Sequence, residues 1–188
     1  MRNIEIKAKI DNPELKISRI VQLTKDNGII MKQHDIFFKV AEGRLKLRKF
    51  ETIVKNIFLK MFFSLTDGSG ELIYYKRSNV FGPKLCDYEK VALDENACSG
   101  IANILIESNG SVGIVKKTRK VYMIDQTRVH IDDVEGLGNF LELEVILNDD
   151  QDIESGEKIA HDLMSKLDIK SEDLIANAYI DLLSKSIE

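Results

Sequence analysis

A 188-residue chain that is 44% hydrophobic and 31% charged has the composition of an ordinary globular protein, with enough apolar side chains for one sizeable core. Its net charge of −4 argues against nucleic acid as the main partner, because proteins that grip phosphate backbones usually present a basic domain. Cys86 and Cys98 lack metal-ligand spacing and are too few to staple a secreted fold, so they read as free thiols in a reducing compartment, the cytosol.

The first residues enter a charged, alternating pattern directly, without the apolar h-region of a signal peptide, so a cytoplasmic location is expected. Pro13 and Pro83 are the only prolines, and no low-complexity stretch or repeat divides the chain, which predicts one domain over residues 1–188. Charge is unevenly spread. Basic residues lead in the first fifty positions, whereas residues 132–162 are acidic with Lys158 as their only Lys or Arg. Both signs must meet within one fold.

Residues 4–10 alternate strictly and predict a strand with Glu5, Lys7 and Lys9 on one face and apolar side chains on the other. Residues 13–27 place Leu15, Ile20, Val21 and Leu23 near helical spacing, with Pro13 at the start and Gly28 at the end. A strand follows over residues 32–40, and residues 44–48 form another, with Arg44, Lys46 and Arg48 on one side. Further strands are expected at residues 72–77, ending in Lys76 and Arg77; at 115–123, aligning Lys117, Arg119 and Val121; and at 126–134, aligning Arg128, His130 and Asp132. Over residues 140–146, Glu142 and Glu144 share one face while Leu141, Leu143 and Val145 occupy the other. Helical spacing recurs at residues 94–107, 154–167 and 171–184, the last with Ser171 as a suitable N-cap.

A single strand of this kind is ordinarily half of a sheet with one solvated charged face. Repetition of the pattern over at least five strands, with helices available to cover the apolar faces, fits a barrel whose interior is polar.

These residues resemble the CYTH family of triphosphate tunnel enzymes, which includes class IV adenylyl cyclases, thiamine triphosphatases and inorganic triphosphatases. The similarity runs nearly the full chain and lies in ordered motifs: Asn3-Ile4-Glu5-Ile6-Lys7, Gly43-Arg44-Leu45-Lys46-Leu47-Arg48, Tyr75-Lys76-Arg77, Lys117-Thr118-Arg119, and the run from Asp132 through Gly136, Gly138 and Phe140 to Glu144. The resemblance implies a mainly β, α+β fold: a closed antiparallel tunnel of about eight strands with flanking helices. It also implies that Lys7, Lys9, Arg44, Lys46, Arg48, Lys76, Arg77, Lys117 and Arg119 clamp phosphates. Glu5, Glu142, Glu144 and Asp132 are implied as ligands for Mg²⁺ or Mn²⁺. Lys7, Glu142 and Glu144 would then carry the chemistry.

Two departures stand out. The family's opening motif has Glu where this chain has Asn3, a neutral and poorer ligand. Residues 52–67 are a largely apolar insertion where the family would have a short turn; they read as a retained coding segment or as an amphipathic flap or partner-binding helix, and are too short for a membrane span. The scattered His34, His130 and His161 argue against metal binding by histidine, although His130 shares the Asp132 face and suits a supporting role beside a ligand. Tyr179 fits either a tunnel-mouth aromatic or a core tyrosine.

The function these features predict is metal-dependent hydrolysis of a triphosphate-containing small molecule (tripolyphosphate, thiamine triphosphate or a nucleoside triphosphate) inside the tunnel. The alternatives are cyclisation of ATP to cyclic AMP and pyrophosphate, and phosphate binding without turnover.

Overall fold

Eight strands close on themselves in the order β1-β5-β4-β3-β2-β6-β7-β8, every neighbouring pair antiparallel, in the computed structural model, which describes residues 1–24, 26–55 and 68–185. Along the chain these are β1 (Arg2–Lys9), β2 (Ile29–Phe38), β3 (Arg44–Lys55), β4 (Gly70–Arg77), β5 (Lys84–Leu93), β6 (Ser111–Ile124), β7 (Thr127–Val134) and β8 (Gly138–Ile146). Closure leaves no sheet edge to protect. Side chains therefore divide into an inner and an outer set.

The outer set is the apolar one along much of the wall. Ile4, Ile6 and Ala8 of β1 and Leu141, Leu143 and Val145 of β8 point outward and are buried by helix α3 (Ile153–Lys166), which contributes Ala160, Leu163 and Met164. Helix α1 (Pro13–Thr24) adds Ile20 to the same cluster. Close approach of α3 depends on Gly156: a Cβ there would lie 2.7 Å from Ile4 Cγ1 and 2.6 Å from Leu147 Cδ2. Asp152 caps the helix by accepting from Ser155 N at 2.7 Å.

Helix α2 (Glu95–Asn109) covers another arc, setting Cys98 and Ala102 against Ile36, Phe38 and Leu47. Asp94 caps it, accepting from Ala97 N at 2.8 Å. Gly70 is needed where this arc closes, since a Cβ would sit 2.1 Å from Arg48 O and 2.8 Å from Cys98 Sγ.

The single helix expected over residues 171–184 is instead a 3-10 turn (Ser171–Asp173) and a short helix α4 (Tyr179–Lys185), with Lys170, not Ser171, in the N-cap place of the turn. The backbone between them finds partners on the barrel. Ile175 N donates to Lys7 O at 2.8 Å, and Leu174, whose N–H closes the 3-10 turn on Ser171 O at 3.3 Å, bridges to Ala8, so these peptide groups are satisfied without α-helical bonds. Ala178, Tyr179 and Ile180 then pack with Phe37, Val115, Val134 and Phe140.

Strand β5 was not anticipated. Its outward Leu85 and Leu93 pack against the helix-covered clusters, but Asp87, Glu89 and Val91 between them are exposed, so the apolar alternation that marks other strands is broken in its middle. Of the apolar stretch at residues 52–67, positions 52–55 continue β3 and pair with β2, Lys55 opposite Ile29; residues 56–67 lie outside the described residues. Among the described residues, no helix is long and apolar enough to cross a membrane.

Candidate functional site

Strand register brings the charged faces together. Lys7 of β1 lies opposite Glu142 of β8, which lies opposite His130 of β7; one step along, Glu5, Glu144 and Arg128 form a parallel row. On the other side of the barrel Asp35 of β2 pairs with Arg48 of β3, and Gln33 with Lys117 of β6. With period-two alternation all of these point inward, where they line a cavity of about 310 Å³.

Two charge clusters share the cavity. In the first, Asp35 is 1% exposed and accepts from Arg48 Nε and Nη2, each at 2.8 Å, and from Lys46 Nζ at 3.0 Å. Lys117 Nζ approaches the same carboxylate at 3.9 Å. Burial alone would raise the Asp35 pKa, but Arg48, Lys46 and Lys117 outweigh it and hold the group well below the usual carboxylate range. Burial, aided by the charge of Arg119, pushes Lys117 down to about 7.

The second cluster joins β1, β4, β6, β7 and β8. Arg119 forks onto Asp132, Nε to Oδ1 at 2.6 Å and Nη2 to Oδ2 at 2.5 Å, and Nη2 also reaches Glu142 Oε2 at 2.5 Å. Lys7 Nζ pairs with Glu142 Oε1 at 3.1 Å and stands 4.0 Å from the centre of the Tyr179 ring. Arg128 Nε is 3.0 Å from Glu144 Oε2, and Arg77 Nη1 donates to Glu5 Oε1. Burial works against ionisation of Glu142, yet Lys7 and Arg119 reverse it and keep the carboxyl well below its ordinary range; Glu144 is lowered against its own burial by His130 and Arg128. Lys117 links the clusters, since its Nζ is also 3.8 Å from Asp132 Oδ2.

Most of the residues that the motifs single out do converge. Glu5, Lys7, Lys46, Arg48, Arg77, Lys117, Arg119, Glu142 and Glu144 all line the cavity. Four others do not. Lys76 alternates with Arg77, so it points outward, where it is exposed and pairs with Glu42 at 2.8 Å. Lys9, the last residue of β1, is exposed at the strand's end. Arg44, the first residue of β3, binds Asp181 of α4 at 2.6 Å and Asn79 at 3.3 Å. Asp132 is fully buried behind Arg119, and Tyr179 donates its hydroxyl to Oδ2 at 2.9 Å, so this carboxylate fixes a guanidinium and does not line the cavity. Tyr179 is thereby both cavity lining and core.

Asp35 and Lys84 are buried charged residues that no sequence motif marks. Asp35 sits on an inward face between Gln33 and Phe37, without the recurring charge that marked the other strands. Lys84 lies on the unanticipated β5 and is 3% exposed; it donates to Val80 O and Ile175 O at 3.2 Å and to Ala176 O at 3.3 Å, tying the segment before α4 to the barrel.

Glu142, Glu144 and His130 place one ligand atom each within 4.8 Å of one another. Two carboxylates with an unpartnered, buried imidazole nitrogen suit a divalent cation. The residues present fit such an ion.

Comparison with known proteins agrees with this architecture. A model of the CYTH domain matches residues 1–179. Over 71 residues the chain is 35% identical to a protein of Methanocaldococcus jannaschii named as a candidate adenylate cyclase; the match takes in 36% of this chain and 39% of that relative, well under half the relative's length. Among solved structures, a protein of Pyrococcus horikoshii superposes with a TM-score of 0.73 at 22% identity, covering 96% of this chain and 98% of the other. A candidate adenylyl cyclase from Hippeastrum, described as revealing a dominant triphosphatase activity, superposes at 0.62 with 14% identity over 98% of this chain and 96% of its own. At these identities the structural likeness is one of fold. With a closed eight-stranded barrel, an interior lined by both signs of charge and a family model spanning nearly every residue, the chain belongs to the CYTH domain family.

Proposed function

We propose that this protein hydrolyses the triphosphate of a small molecule inside the barrel, with a divalent cation. One observation carries the reading: three cations, Lys46, Arg48 and Lys117, converge on the single carboxylate of Asp35 in the same cavity that Glu142 and Glu144 line. Such a surplus of buried positive charge suits a polyanion, and the arginine fork suits bidentate phosphate oxygens. Lys7 and Arg119, which reach Glu142 from two sides, would hold the rest of the phosphate chain near the carboxylate pair.

Glu142 and Glu144, with Glu5 alongside, would hold Mg²⁺ or Mn²⁺, which when bound neutralises charge on phosphate oxygens and lowers the pKa of water. Arg48, Lys46 and Lys117 are ordered by Asp35 before any ligand arrives, so little reorganisation is needed when charge develops at phosphorus. Tyr179 and Phe140, in edge contact at 4.9 Å between centroids, back the Lys7 side of the site and keep water from it. The triphosphatase activity described for the Hippeastrum protein of the same fold supports this choice of reaction.

Purified protein with Mg²⁺ or Mn²⁺ is expected to release phosphate from tripolyphosphate, thiamine triphosphate or a nucleoside triphosphate. Absence of release from all three would overturn the proposal. The name of the Methanocaldococcus relative favours a second reading, in which the ribose 3′-hydroxyl of ATP attacks the α-phosphate and pyrophosphate leaves. Chromatography of products from labelled ATP decides it: cyclic AMP is the mark of that reaction.

A further inference from the structure

We propose that His130 supplies a nitrogen donor to the cation site beside Glu142 and Glu144, giving a site that prefers Mn²⁺, Co²⁺ or Zn²⁺ to Mg²⁺. The inference rests on the reading of the cavity as a metal-assisted phosphate site and adds the ligand set and the class of ion.

His130 lies on the inward face of β7, is 3% exposed and stands directly across from Glu142 in the β7–β8 register. Its Nδ1 is 3.6 Å from Glu142 Oε2 and 3.8 Å from Glu144 Oε1, beyond hydrogen-bond reach of either, and has no other partner. A buried polar atom without a close hydrogen bond costs about 1–3 kcal/mol, and a cation held between this nitrogen and the two carboxylates would supply the partner that neither reaches directly. Arg128 takes Glu144 Oε2, which leaves Oε1 turned toward the imidazole.

The spacing suits a shared ion. Two donors each about 2.1 Å from one divalent cation lie about 3.0 to 3.4 Å apart, so the imidazole nitrogen needs to close on each carboxylate by only a few tenths of an ångström, while the three donors, now within 4.8 Å of one another, draw together around the ion. Asn3 strengthens the case. It lines the same cavity at 4% exposure, and its own Oδ1 is unpartnered. The cavity thus offers a neutral amide oxygen on β1 and an imidazole on β7 beside its two carboxylates on β8. Replacing hard anionic oxygen by nitrogen moves preference away from Mg²⁺, which favours oxygen and retains its waters, toward borderline ions that accept imidazole.

The test uses the whole protein without substrate. Pulsed electron paramagnetic resonance of the protein loaded with one equivalent of Mn²⁺ is expected to contain ¹⁴N modulation from a coordinated imidazole. In His130→Gln that modulation should vanish, and calorimetric Mn²⁺ affinity should fall by about tenfold or more while Mg²⁺ affinity changes much less. A wild-type spectrum without ¹⁴N modulation overturns the proposal and needs no variant to fold. The two readings fail separately: modulation without phosphate release keeps the histidine ligand and removes the hydrolase, whereas phosphate release without modulation keeps the hydrolase and removes the histidine ligand.

Discussion

Two arcs of the same barrel wall solve opposite electrostatic problems. On β2, β3 and β6, three cations surround one carboxylate, Asp35. On β1, β4, β6, β7 and β8, four carboxylates (Glu5, Asp132, Glu142 and Glu144) meet four cations, Arg77, Arg119, Lys7 and Arg128. The first arc gathers more cations than carboxylates around Asp35, a surplus that an added anion would balance; the second is balanced as it stands and can take a cation only by giving up guanidinium contacts. On the proposed function, charge excess would mark the phosphate side and exchangeable pairing the metal side. Net charge over the whole chain conceals both.

Breaking the balanced arc should have the largest effect. Glu142→Gln keeps the side-chain shape but removes the carboxylate that Lys7 and Arg119 share, and is expected to cut phosphate release by about 10²-fold to 10³-fold with the fold intact by circular dichroism. Tripolyphosphate affinity should fall far less than turnover. Equal losses in both would place Glu142 in binding alone.

Next comes the surplus arc. Asp35→Asn leaves Lys46, Arg48 and Lys117 without their shared counterion and should destabilise the ligand-free protein by about 3 kcal/mol at pH 7, measured by urea unfolding. Saturating tripolyphosphate should close most of that gap, because it supplies the missing charge. The pH sign follows from the lowered Asp35 pKa: its stabilising contribution is present above the ordinary carboxylate range and is lost only as pH falls through the depressed folded value, so the difference between wild type and variant should shrink in strong acid, and any change between pH 6 and 8 belongs to Lys117, whose charge Asp35 supports.

A smaller effect distinguishes Lys117, the residue shared by both arcs. With its pKa pushed down to about 7, it is charged below that value and neutral above it, so its contribution to anion binding should fade as pH rises from 6 to 8. Calorimetric titration with tripolyphosphate at several pH values should give a wild-type to Lys117→Met affinity ratio of several-fold at pH 6 that approaches one at pH 8. A ratio independent of pH would mean that the ammonium stays charged throughout. Smallest of all, Lys9→Ala and Lys76→Ala should leave binding and turnover within about twofold, since both side chains point to solvent.

Sequence pattern predicts seven of the eight strands, most of them by alternation, and the reason is the covering helices: wherever α1, α2, α3 or α4 packs outside, the outward positions must be apolar and inward charges stand out. Strand β5 lacks such cover at Asp87, Glu89 and Val91, so its inward Lys84, Cys86 and Tyr88 alternate with exposed residues and the pattern is silent. Lys76 and Arg77 are adjacent, and only one of two neighbours can face inward. Asp35 and the meeting of His130 with Glu142 are consequences of register across strands distant in sequence, which spacing along one strand does not contain. The end of the chain misled for a related reason. Leu174 and Ile175 satisfy their backbone on β1, and helical periodicity carries no trace of that partner.

A crystal structure of the protein soaked with tripolyphosphate and Mn²⁺ tests the division of the wall most directly. Phosphate oxygens are expected on Arg48, Lys46 and Lys117, with the metal against Glu142, Glu144 and His130. Anion density confined to outer lysines such as Lys9 and Lys76, with the inner ion pairs undisturbed, would contradict it.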